Sequence, residues 1–399
     1  MIVDCNASFY VVLAFRTIQS YIELSFGTNR SYIRASTVNN HGNSMKSPRK
    51  LSVNLMIGMT SFLLCMGSVF ADQHEEAAID INDPNYNPDP TLFKGAANNP
   101  FFPLFFNALP EGGAENVPTE VRRIDLRPER DMTLYVEIYN PNGTIPLIVT
   151  PGGMGEIGAF GGFARNIAAA DSDLKVVIWD RRNMGRSEVS FGSEPLSTEE
   201  AEDMHVLLKR LEVGPATLFG MSSGSRSNMI LAQRHPEQIA ALVIAPLTGG
   251  PIAAERLSQE YYLKYLSDDT LTSMEEVAKT PLWAAYMERN TPDLREAFME
   301  QDVDDFLAAM KRTGEHLASF HAKTTLGMTD EQLAALDVPA TLILHHGEER
   351  DFLHPIVHTR SATTLLKNSS FAITPTLGPV LEVLLPFVKQ YTPVMEPGR

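Results

Sequence analysis

From residue 119 onward, short apolar runs alternate with helical segments, and this alternation restricts the fold more than any other feature of the chain. The runs at 145–150, 175–179 and 216–219 are bounded by Gly, Pro or polar residues, which is typical of strands buried on both faces. Strands that alternate with helices through short connections predict an α/β fold with a doubly wound parallel sheet. The same patterns predict further strands at 121–126, 133–139, 241–245, 340–345 and 370–374, and helices at 223–235 and 355–366.

Two segments of the domain carry further signals. Ser197 and Glu200 have the spacing of a capping box and predict a helix from there to about Leu211. Residues 251–330 are helical in pattern throughout and rich in Met, Tyr and Leu, and they separate two predicted strands. We therefore expect a core at 119–250 and 331–391, with a helical cap at 251–330 inserted over the carboxyl edge of the sheet.

The first 71 residues have the pattern of a leader. A basic run at 46–50 precedes a charge-free apolar stretch at 51–71 that ends on Ala71. We expect 45–71 to be a signal peptide cleaved after Ala71, and 1–44 to be an over-extended gene start. An uncleaved membrane anchor is the alternative, since about 20 apolar residues can span a bilayer. Cleavage predicts a periplasmic or secreted protein that is free of the membrane.

Residues 72–118 are rich in Asn, Pro and Asp and predict an extended N-terminal arm. The arm contains a Phe-rich cluster at 101–106, which we expect to dock on the main domain because it is too apolar for a free tail.

Charge and cysteine content exclude several classes of partner. Asp and Glu outnumber Lys and Arg by 49 to 33, and a chain with a net charge of -16 repels phosphate backbones. We therefore expect no nucleic-acid partner. Both cysteines, Cys5 and Cys65, lie in the leader, and the absence of a C-x-x-C pair or a His/Cys cluster excludes a structural zinc site. The expected partner is a small-molecule substrate, and the oligomeric state is left open.

The most specific motif is G-x-S-x-G at 220–224, directly after one predicted strand and directly before a predicted helix. This is the context of a nucleophile elbow, in which the serine occupies a strained turn and the glycines allow strand and helix to approach. Ser222 is therefore the candidate nucleophile. The alternative is a tight turn with an incidental serine.

A glycine-rich loop at 151–155 follows the strand at 145–150. The backbone N–H of Gly153 or Met154 can supply one oxyanion donor, and the N–H of Ser223 can supply the other. The loop lacks both a Walker Lys and a G-x-G-x-x-G pattern, so no cofactor is predicted.

Residues 179–187, Trp-Asp-Arg-Arg-Asn-Met-Gly-Arg-Ser, resemble the D-x-R-G-x-G-x-S loop of the α/β-hydrolase superfamily, which is structural in that family. Asn183 stands where the first Gly is usual, and Asn tolerates the left-handed conformation. Over 119–391 the chain is similar to the proline-iminopeptidase and C–C-bond-hydrolase type. The resemblance implies an α/β-hydrolase fold, with an eight-stranded, mostly parallel sheet and an inserted cap, and acyl transfer through a Ser–His–acid triad.

The resemblance also implies an acid after the strand at 340–345 and a histidine after the last strand. Asp351 is the candidate acid, with Glu349 as runner-up and a solvated charge cluster as the structural alternative. No histidine follows His358, so the usual base is missing, and a serine without a base is a weak nucleophile. His354, three residues after Asp351, is the candidate substitute base or substrate contact.

Several other histidines of the chain have weaker claims to the role of base than His354. His316 and His321 lie in the predicted cap and could point into the pocket, whereas a structural or surface role is expected for His205, His235 and His346.

Three functional hypotheses follow. The first is a secreted serine hydrolase acting on a small ester, amide or activated C–C bond. The second is a pseudo-hydrolase that lacks the triad histidine and binds or senses a ligand. The third is a lyase-type reaction that uses the oxyanion donors and an unidentified base. An imidazole within about 3 Å of the Ser222 hydroxyl would favour the first.

Overall fold

The computed structural model describes residues 9–14, 20–26, 32–37 and 114–396, with gaps at 154–156, 268–269, 348–350 and 376. The predicted signal peptide and most of the predicted arm lie outside the described residues. The chain divides into two units, Met1–Ile79 and Asp80–Arg399. In the first unit, β1 (Phe9–Ala14), β2 (Ser20–Phe26) and β3 (Tyr32–Thr37) form an antiparallel sheet in that order.

The second unit contains an eight-stranded sheet in the order β11-β10-β9-β8-β6-β7-β5-β4. Neighbouring strands are parallel except that β5 is antiparallel to both β4 and β7. The predicted eight-stranded, mostly parallel sheet is thereby confirmed, and each strand lies within two residues of its predicted bounds. The strands are β4 (Thr119–Asp125), β5 (Thr133–Tyr139), β6 (Ile145–Thr150), β7 (Leu174–Trp179), β8 (Ala216–Gly220), β9 (Ile239–Ile244), β10 (Thr341–His345) and β11 (Ser369–Ile373).

Helices flank the sheet and fill the interval between β9 and β10. The helices outside that interval are α1 (Ile157–Ala170), α2 (Leu196–Arg210), α3 (Ser223–Arg234), α10 (Ile356–Leu365) and α11 (Leu377–Tyr391). Within the interval predicted to form a cap lie α4 (Gly250–Tyr261), α5 (Met274–Lys279), α6 (Pro281–Arg289), α7 (Pro292–Met299), α8 (Val303–Ala318) and α9 (Asp330–Ala335). Short 3-10 helices span Ala114–Asn116, Pro236–Gln238 and Leu263–Ser267.

Helices cover both faces of the sheet, so the side chains that alternate between the two faces of its central strands are buried on either side. In β6, Ile148 packs in the cluster that contains helices α2 and α3, whereas Leu147 and Val149 pack in the cluster that contains α1 and α11. This explains why the strand reads as a continuous apolar run. A third cluster, centred on Trp283, Phe298 and Phe306, gives the helices between β9 and β10 a core of their own.

The predicted capping box at the start of α2 is wrong. Pro195 is the N-terminal cap residue, no side chain caps the helix, and the Pro195 carbonyl accepts the N–H groups of Thr198 and Glu199. Glu200 is buried and its carboxylate binds Arg181 at 2.8 Å. Because the Glu200 side chain forms this interior ion pair, it does not reach back to cap the helix as the motif predicts.

The loop after β7 is held by the carboxylate of Asp180, which accepts the N–H of Ile157 at 2.6 Å and the N–H of Arg186 at 2.9 Å. Gly185 has φ +53°, and a Cβ there would lie 2.3 Å from the Asp180 carboxylate, so only glycine fits. Asn183 has φ +65°, the left-handed conformation expected from its place in the motif. The loop thereby fixes the start of α1 and the position of Arg181.

Candidate active site

Ser222 lies in the turn between β8 and α3 with φ +50° and ψ −115°. Such a conformation costs a non-glycine residue about 1–3 kcal/mol and persists only where its surroundings impose it. The flanking glycines allow that crowding: a Cβ on Gly220 would lie 2.5 Å from the Cα of Ser225, and one on Gly224 would lie 2.3 Å from the carbonyl oxygen of Thr150. The G-x-S-x-G motif thus allows the close approach of strand and helix at Ser222.

The structure brings Ser222, His354 and Asp351 together. The Nε2 atom of His354 lies 2.8 Å from the Oγ of Ser222, and its Nδ1 atom lies 2.8 Å from Oδ2 of Asp351. A carboxylate is acceptor only, so Nδ1 carries the proton and donates it to Asp351. This leaves the Nε2 lone pair to accept the hydroxyl hydrogen of Ser222. The arrangement is that of a serine, a general base and an orienting acid.

The loop between β10 and α10 supplies both the base and the acid. Oδ1 of Asp351 accepts the backbone N–H of Leu353 at 3.1 Å and that of His354 at 3.2 Å. The carboxylate therefore folds the loop into a local turn that returns the imidazole of His354 to Oδ2. Because the two residues are only three positions apart, the turn itself sets their relative geometry.

His345 holds the same loop through two hydrogen bonds. Its Nδ1 accepts the N–H of Gly347 at 2.9 Å, so its Nε2 carries the hydrogen and donates to the carbonyl of His354 at 2.7 Å. His345 is fully buried, and burial lowers its pKa to about 4. A neutral histidine thus ties the end of β10 to the loop that carries the candidate base.

His346 is a site residue that the sequence reasoning treated as structural. Its Nε2 atom lies 2.9 Å from Oδ2 of Asp351, the same oxygen that contacts His354. Burial alone would oppose ionisation of Asp351, but His354 and the hydrogen bonds from both histidines hold its pKa well below the ordinary value. The signal for His346 was its place at the end of β10, five residues before the predicted acid.

The oxyanion side is built around Gly153 and Ser223. The Gly153 carbonyl accepts hydrogen bonds from Nη2 of Arg181 and, at 3.1 Å, from the Oγ of Ser223. Arg181 is itself fixed by Glu200, so a buried ion pair supports the glycine loop. The N–H of Ser223, at the start of α3, has no acceptor among the described residues. Met154, the other predicted donor, lies outside the described residues.

Thr248 is a second contact of the candidate nucleophile, and the sequence gave no signal for it. Its Oγ1 lies 3.1 Å from Oγ of Ser222 and can serve as donor or acceptor. Thr248 is fully buried four residues after β9, so it confines the serine hydroxyl opposite His354.

The remaining candidate residues lie apart from this arrangement. His316 is partly buried and packs edge-on against Phe320, and His321 is exposed. His205 and His235 stack at 3.6 Å near Gln238 and Glu202. Glu349, the alternative acid, lies outside the described residues.

Two groups of side chains have the spacing of metal ligands: His346, Asp351 and His354 form one, and His205, His235 and Glu237 form the other. In the first group each ligand atom already takes part in a hydrogen bond of the candidate site. A metal bound there would displace the proton on Nδ1 of His354, so the hydrogen-bonded arrangement and a metal exclude each other.

Comparison with known proteins agrees with this geometry. The sequence model of the family described as alpha/beta hydrolase fold matches residues 145–317, which include the elbow and much of the helical interval after β9. The second unit has the eight-stranded, mostly parallel sheet that the resemblance implied. The second unit has the α/β-hydrolase fold, and the match over 145–317 supports the α/β-hydrolase superfamily.

Two curated relatives of this α/β-hydrolase-fold chain are hydrolases by name. The uncharacterized hydrolase YraK of Bacillus subtilis is 34% identical over 107 residues, which are 26% of this chain and 38% of that protein. RutD of Caulobacter vibrioides, a carbamate hydrolase by provisional assignment, is 24% identical over 58% of this chain and 78% of its own length. The chain therefore spans well under half of the first relative, and the comparisons support a hydrolase without specifying its subfamily.

A hydrolase from Pseudomonas aeruginosa is among the solved structures that resemble the chain, with a TM-score of 0.44 at 20% identity, covering 68% of this chain and 96% of that one.

Among the described residues, no helix combines the length and the apolar composition that crossing a membrane requires.

Proposed function

We propose that this protein is a serine hydrolase that cleaves a small ester, amide or activated C–C bond through an acyl-enzyme on Ser222. The observation that carries the proposal is the pair of 2.8 Å contacts that His354 makes, one to Ser222 and one to Asp351. In the usual layout the base follows the last strand, whereas here base and acid share the β10–α10 loop. The hydrogen-bonding pattern required of a triad is nevertheless complete.

The proposed reaction begins when His354 Nε2 takes the hydroxyl proton of Ser222 as Oγ attacks the substrate carbonyl carbon. The carbonyl π electrons move to oxygen, and the N–H groups of Ser223 and of Gly153 or Met154 stabilise the resulting oxyanion. When the tetrahedral intermediate collapses, the leaving group takes the proton from Nε2. Water then repeats the sequence on the acyl-enzyme. Asp351 stays ionised throughout and stabilises the imidazolium.

A pseudo-hydrolase is not favoured. That alternative was defined by a serine without an imidazole, whereas Nε2 of His354 lies 2.8 Å from Oγ of Ser222. The lyase alternative required a base of another kind, and the contacts of Ser222 with described residues, His354 and Thr248, do not point to one. In the proposed hydrolase mechanism, His354 is the general base for Ser222.

Turnover of para-nitrophenyl acetate by the purified protein tests the proposal. We expect Ser222→Ala and His354→Ala each to lower kcat by at least about 10³-fold, since loss of a triad member commonly costs this much or more. His321→Ala removes an exposed histidine and serves as the matched control with unchanged turnover. Turnover by His354→Ala equal to that of the wild type would overturn the assignment of the base.

We also propose export, with cleavage after Ala71, on the basis of the basic and apolar segments at 46–71. N-terminal sequencing of the protein from its producing cells tests this proposal. A mature chain that begins at Asp72 is expected, and a chain that retains residues 46–71 would contradict it.

A further inference from the structure

Arg226 lies in the first turn of α3, four residues after Ser222, and the proposed reaction does not use it. The residue is 7% exposed, and its Nε and Nη1 atoms are buried without a hydrogen-bond partner among the described residues. Buried guanidinium groups are normally paired, because an unpaired buried charge is strongly unfavourable. A buried guanidinium with two unpartnered nitrogens, one helical turn after a candidate nucleophile, therefore needs an explanation.

The charges around Arg226 do not neutralise it. Among acidic groups, Glu200 interacts most strongly with the charge of Arg226. The two carboxylate oxygens of Glu200, however, already accept hydrogen bonds from Arg181 and from Ser227. Arg181 offsets the charge of Glu200. His316 approaches from α8, and burial together with the charge of Arg226 lowers its pKa, so it is neutral near pH 7. Among the described residues around Arg226, one positive charge consequently remains uncompensated.

Tyr261 and Tyr262, at the end of α4, also interact electrostatically with Arg226, and burial raises the pKa of both phenols. They are therefore neutral, and they add polar groups without adding charge.

Arg226 and Ser222 share the same neighbouring segment. Thr248, which contacts Oγ of Ser222, accepts hydrogen bonds through its carbonyl from Thr325 and Leu326, each at 3.1 Å. The next residue, Gly327, has φ +87° and packs so closely that a Cβ there would lie 3.3 Å from Cδ of Arg226. Residues 325–327 thus connect Thr248, the neighbour of Ser222, to the aliphatic part of the Arg226 side chain.

We propose that Arg226 binds a free carboxylate of the substrate, so that the enzyme hydrolyses esters or amides of small acids that carry a second, ionised carboxyl group. The inference rests on the proposed function and names its substrate class. A guanidinium matches a carboxylate in geometry and forms charge-assisted hydrogen bonds with it. A carboxylate carries a single negative charge, which equals the one charge left uncompensated, whereas a phosphate dianion would exceed it.

Matched ester pairs test this substrate class. The mono-para-nitrophenyl esters of glutarate, adipate and suberate are each compared with the neutral methyl ester of the same acid. We expect the wild type to prefer the charged member of the best pair by about 10-fold or more in kcat/KM, the size typical of a charge-assisted hydrogen bond. Arg226→Met should abolish that preference, and Arg226→Lys should retain part of it.

Arg234→Met is the control, because Arg234 lies on the same helix but is exposed and paired with Glu202. Its preference for the charged ester should equal that of the wild type. Equal turnover of charged and neutral esters by the wild type would overturn the inference, and so would an equal loss on both esters in Arg226→Met.

A binding measurement separates this inference from the proposed chemistry. Adipate should raise the Tm of the Ser222→Ala protein, and it should not raise the Tm of the Ser222→Ala, Arg226→Met double variant. If neither ester is hydrolysed but adipate gives this shift, the serine-hydrolase proposal fails and the carboxylate site stands. If neutral esters are hydrolysed and adipate gives no shift, the site fails alone. An equal shift with inorganic phosphate would overturn the assignment to a carboxylate.

Discussion

His354 stands three residues after Asp351, and at the scale of single residues this short separation explains how one loop can supply an acid and a base together. The carboxylate of Asp351 uses Oδ1 to fold the loop and Oδ2 to hold the two imidazoles of His346 and His354. His346 contacts Oδ2 of Asp351 through Nε2, and we expect it to position that carboxylate. Removing His346 should affect the orientation of the base more than the binding of substrate.

We therefore predict that His346→Ala lowers kcat by about 10-fold and changes KM less than 2-fold, as is typical of the loss of one positioning hydrogen bond. His346→Gln keeps an N–H donor and should recover most of the loss. The measurement is steady-state turnover of a neutral aryl ester by both variants. Equal activities of the Ala and Gln variants would show that the contact with Asp351 does not matter.

Arg226 also gives a stability prediction at this scale. An uncompensated buried charge is strongly unfavourable, so an apolar side chain of similar length in its place is expected to stabilise the fold. Arg226→Met should therefore raise the free energy of unfolding by about 1 kcal/mol or more in urea titrations. Arg234→Met, on the exposed part of the same helix, should change it by less than about 0.5 kcal/mol. A loss of stability in Arg226→Met would mean that the protein itself satisfies the guanidinium.

At the scale of elements, the loop after β7 and the elbow after β8 both depend on glycines that another group approaches closely. At Gly185 that group is the Asp180 carboxylate, and at Gly220 and Gly224 it is backbone. A side chain at these glycines would clash with a neighbouring group. A glycine on the exposed face of a helix has no such neighbour, and replacing it changes only backbone entropy and helix propensity. Gly185 and Gly162 provide a matched comparison, since the first is enclosed by Asp180 and a Cβ at the second would meet nothing within 4 Å.

Gly185→Ala should lower the free energy of unfolding by at least about 2 kcal/mol, because the added Cβ meets the Asp180 carboxylate and φ is positive. Gly162→Ala, in the exposed part of α1, should raise it by about 0.5–1 kcal/mol through helix propensity. Urea denaturation measures both. Similar values for the two variants would contradict this description of the loop.

Sequence patterns predicted the strands to within two residues, because buried parallel strands are continuous apolar runs and each ends at Gly, Pro or a polar residue. They predicted α2, α3 and α10 equally well but gave no bounds for α1 and α11. The start of α2 was predicted for the wrong reason. Ser197 and Glu200 have capping-box spacing, but a motif does not reveal that Arg181, 19 residues earlier in sequence, claims the same carboxylate. Local spacing predicts local bonds, and a buried ion pair overrides them.

At the scale of the whole molecule, candidate residues could be predicted where a motif and its place in the sheet agreed, as for Ser222 after β8 and for Asp351 after β10. The roles of Thr248, His346 and Arg226 depend on segments that are distant in sequence and meet only in the fold. His354 was proposed from its position relative to Asp351, and the structure gives the two contacts of 2.8 Å that the proposal needs.

Buried histidines also make the stability of the whole molecule depend on pH. His345 has a pKa of about 4 in the folded protein against 6.5 for the unconstrained group, so below pH 6.5 the unfolded chain binds a proton that the folded protein does not. Stability is therefore full above pH 6.5 and falls by up to about 3 kcal/mol as pH approaches 4. His345→Gln, which keeps a donor and an acceptor, should reduce the slope in urea titrations at pH 7.5, 6.5 and 5.5. An unchanged slope would contradict this assignment.

The central claim is that one loop activates Ser222 through His354, and covalent labelling tests it most directly. The full chain and its Ser222→Ala and His354→Ala variants are treated with a fluorophosphonate, and the adduct is located by peptide mass spectrometry. The account predicts one adduct, on Ser222, that forms at least about 10²-fold more slowly in His354→Ala and is absent in Ser222→Ala. Labelling of Ser222 at the same rate with and without His354, or a folded wild-type protein that is not labelled, would contradict it.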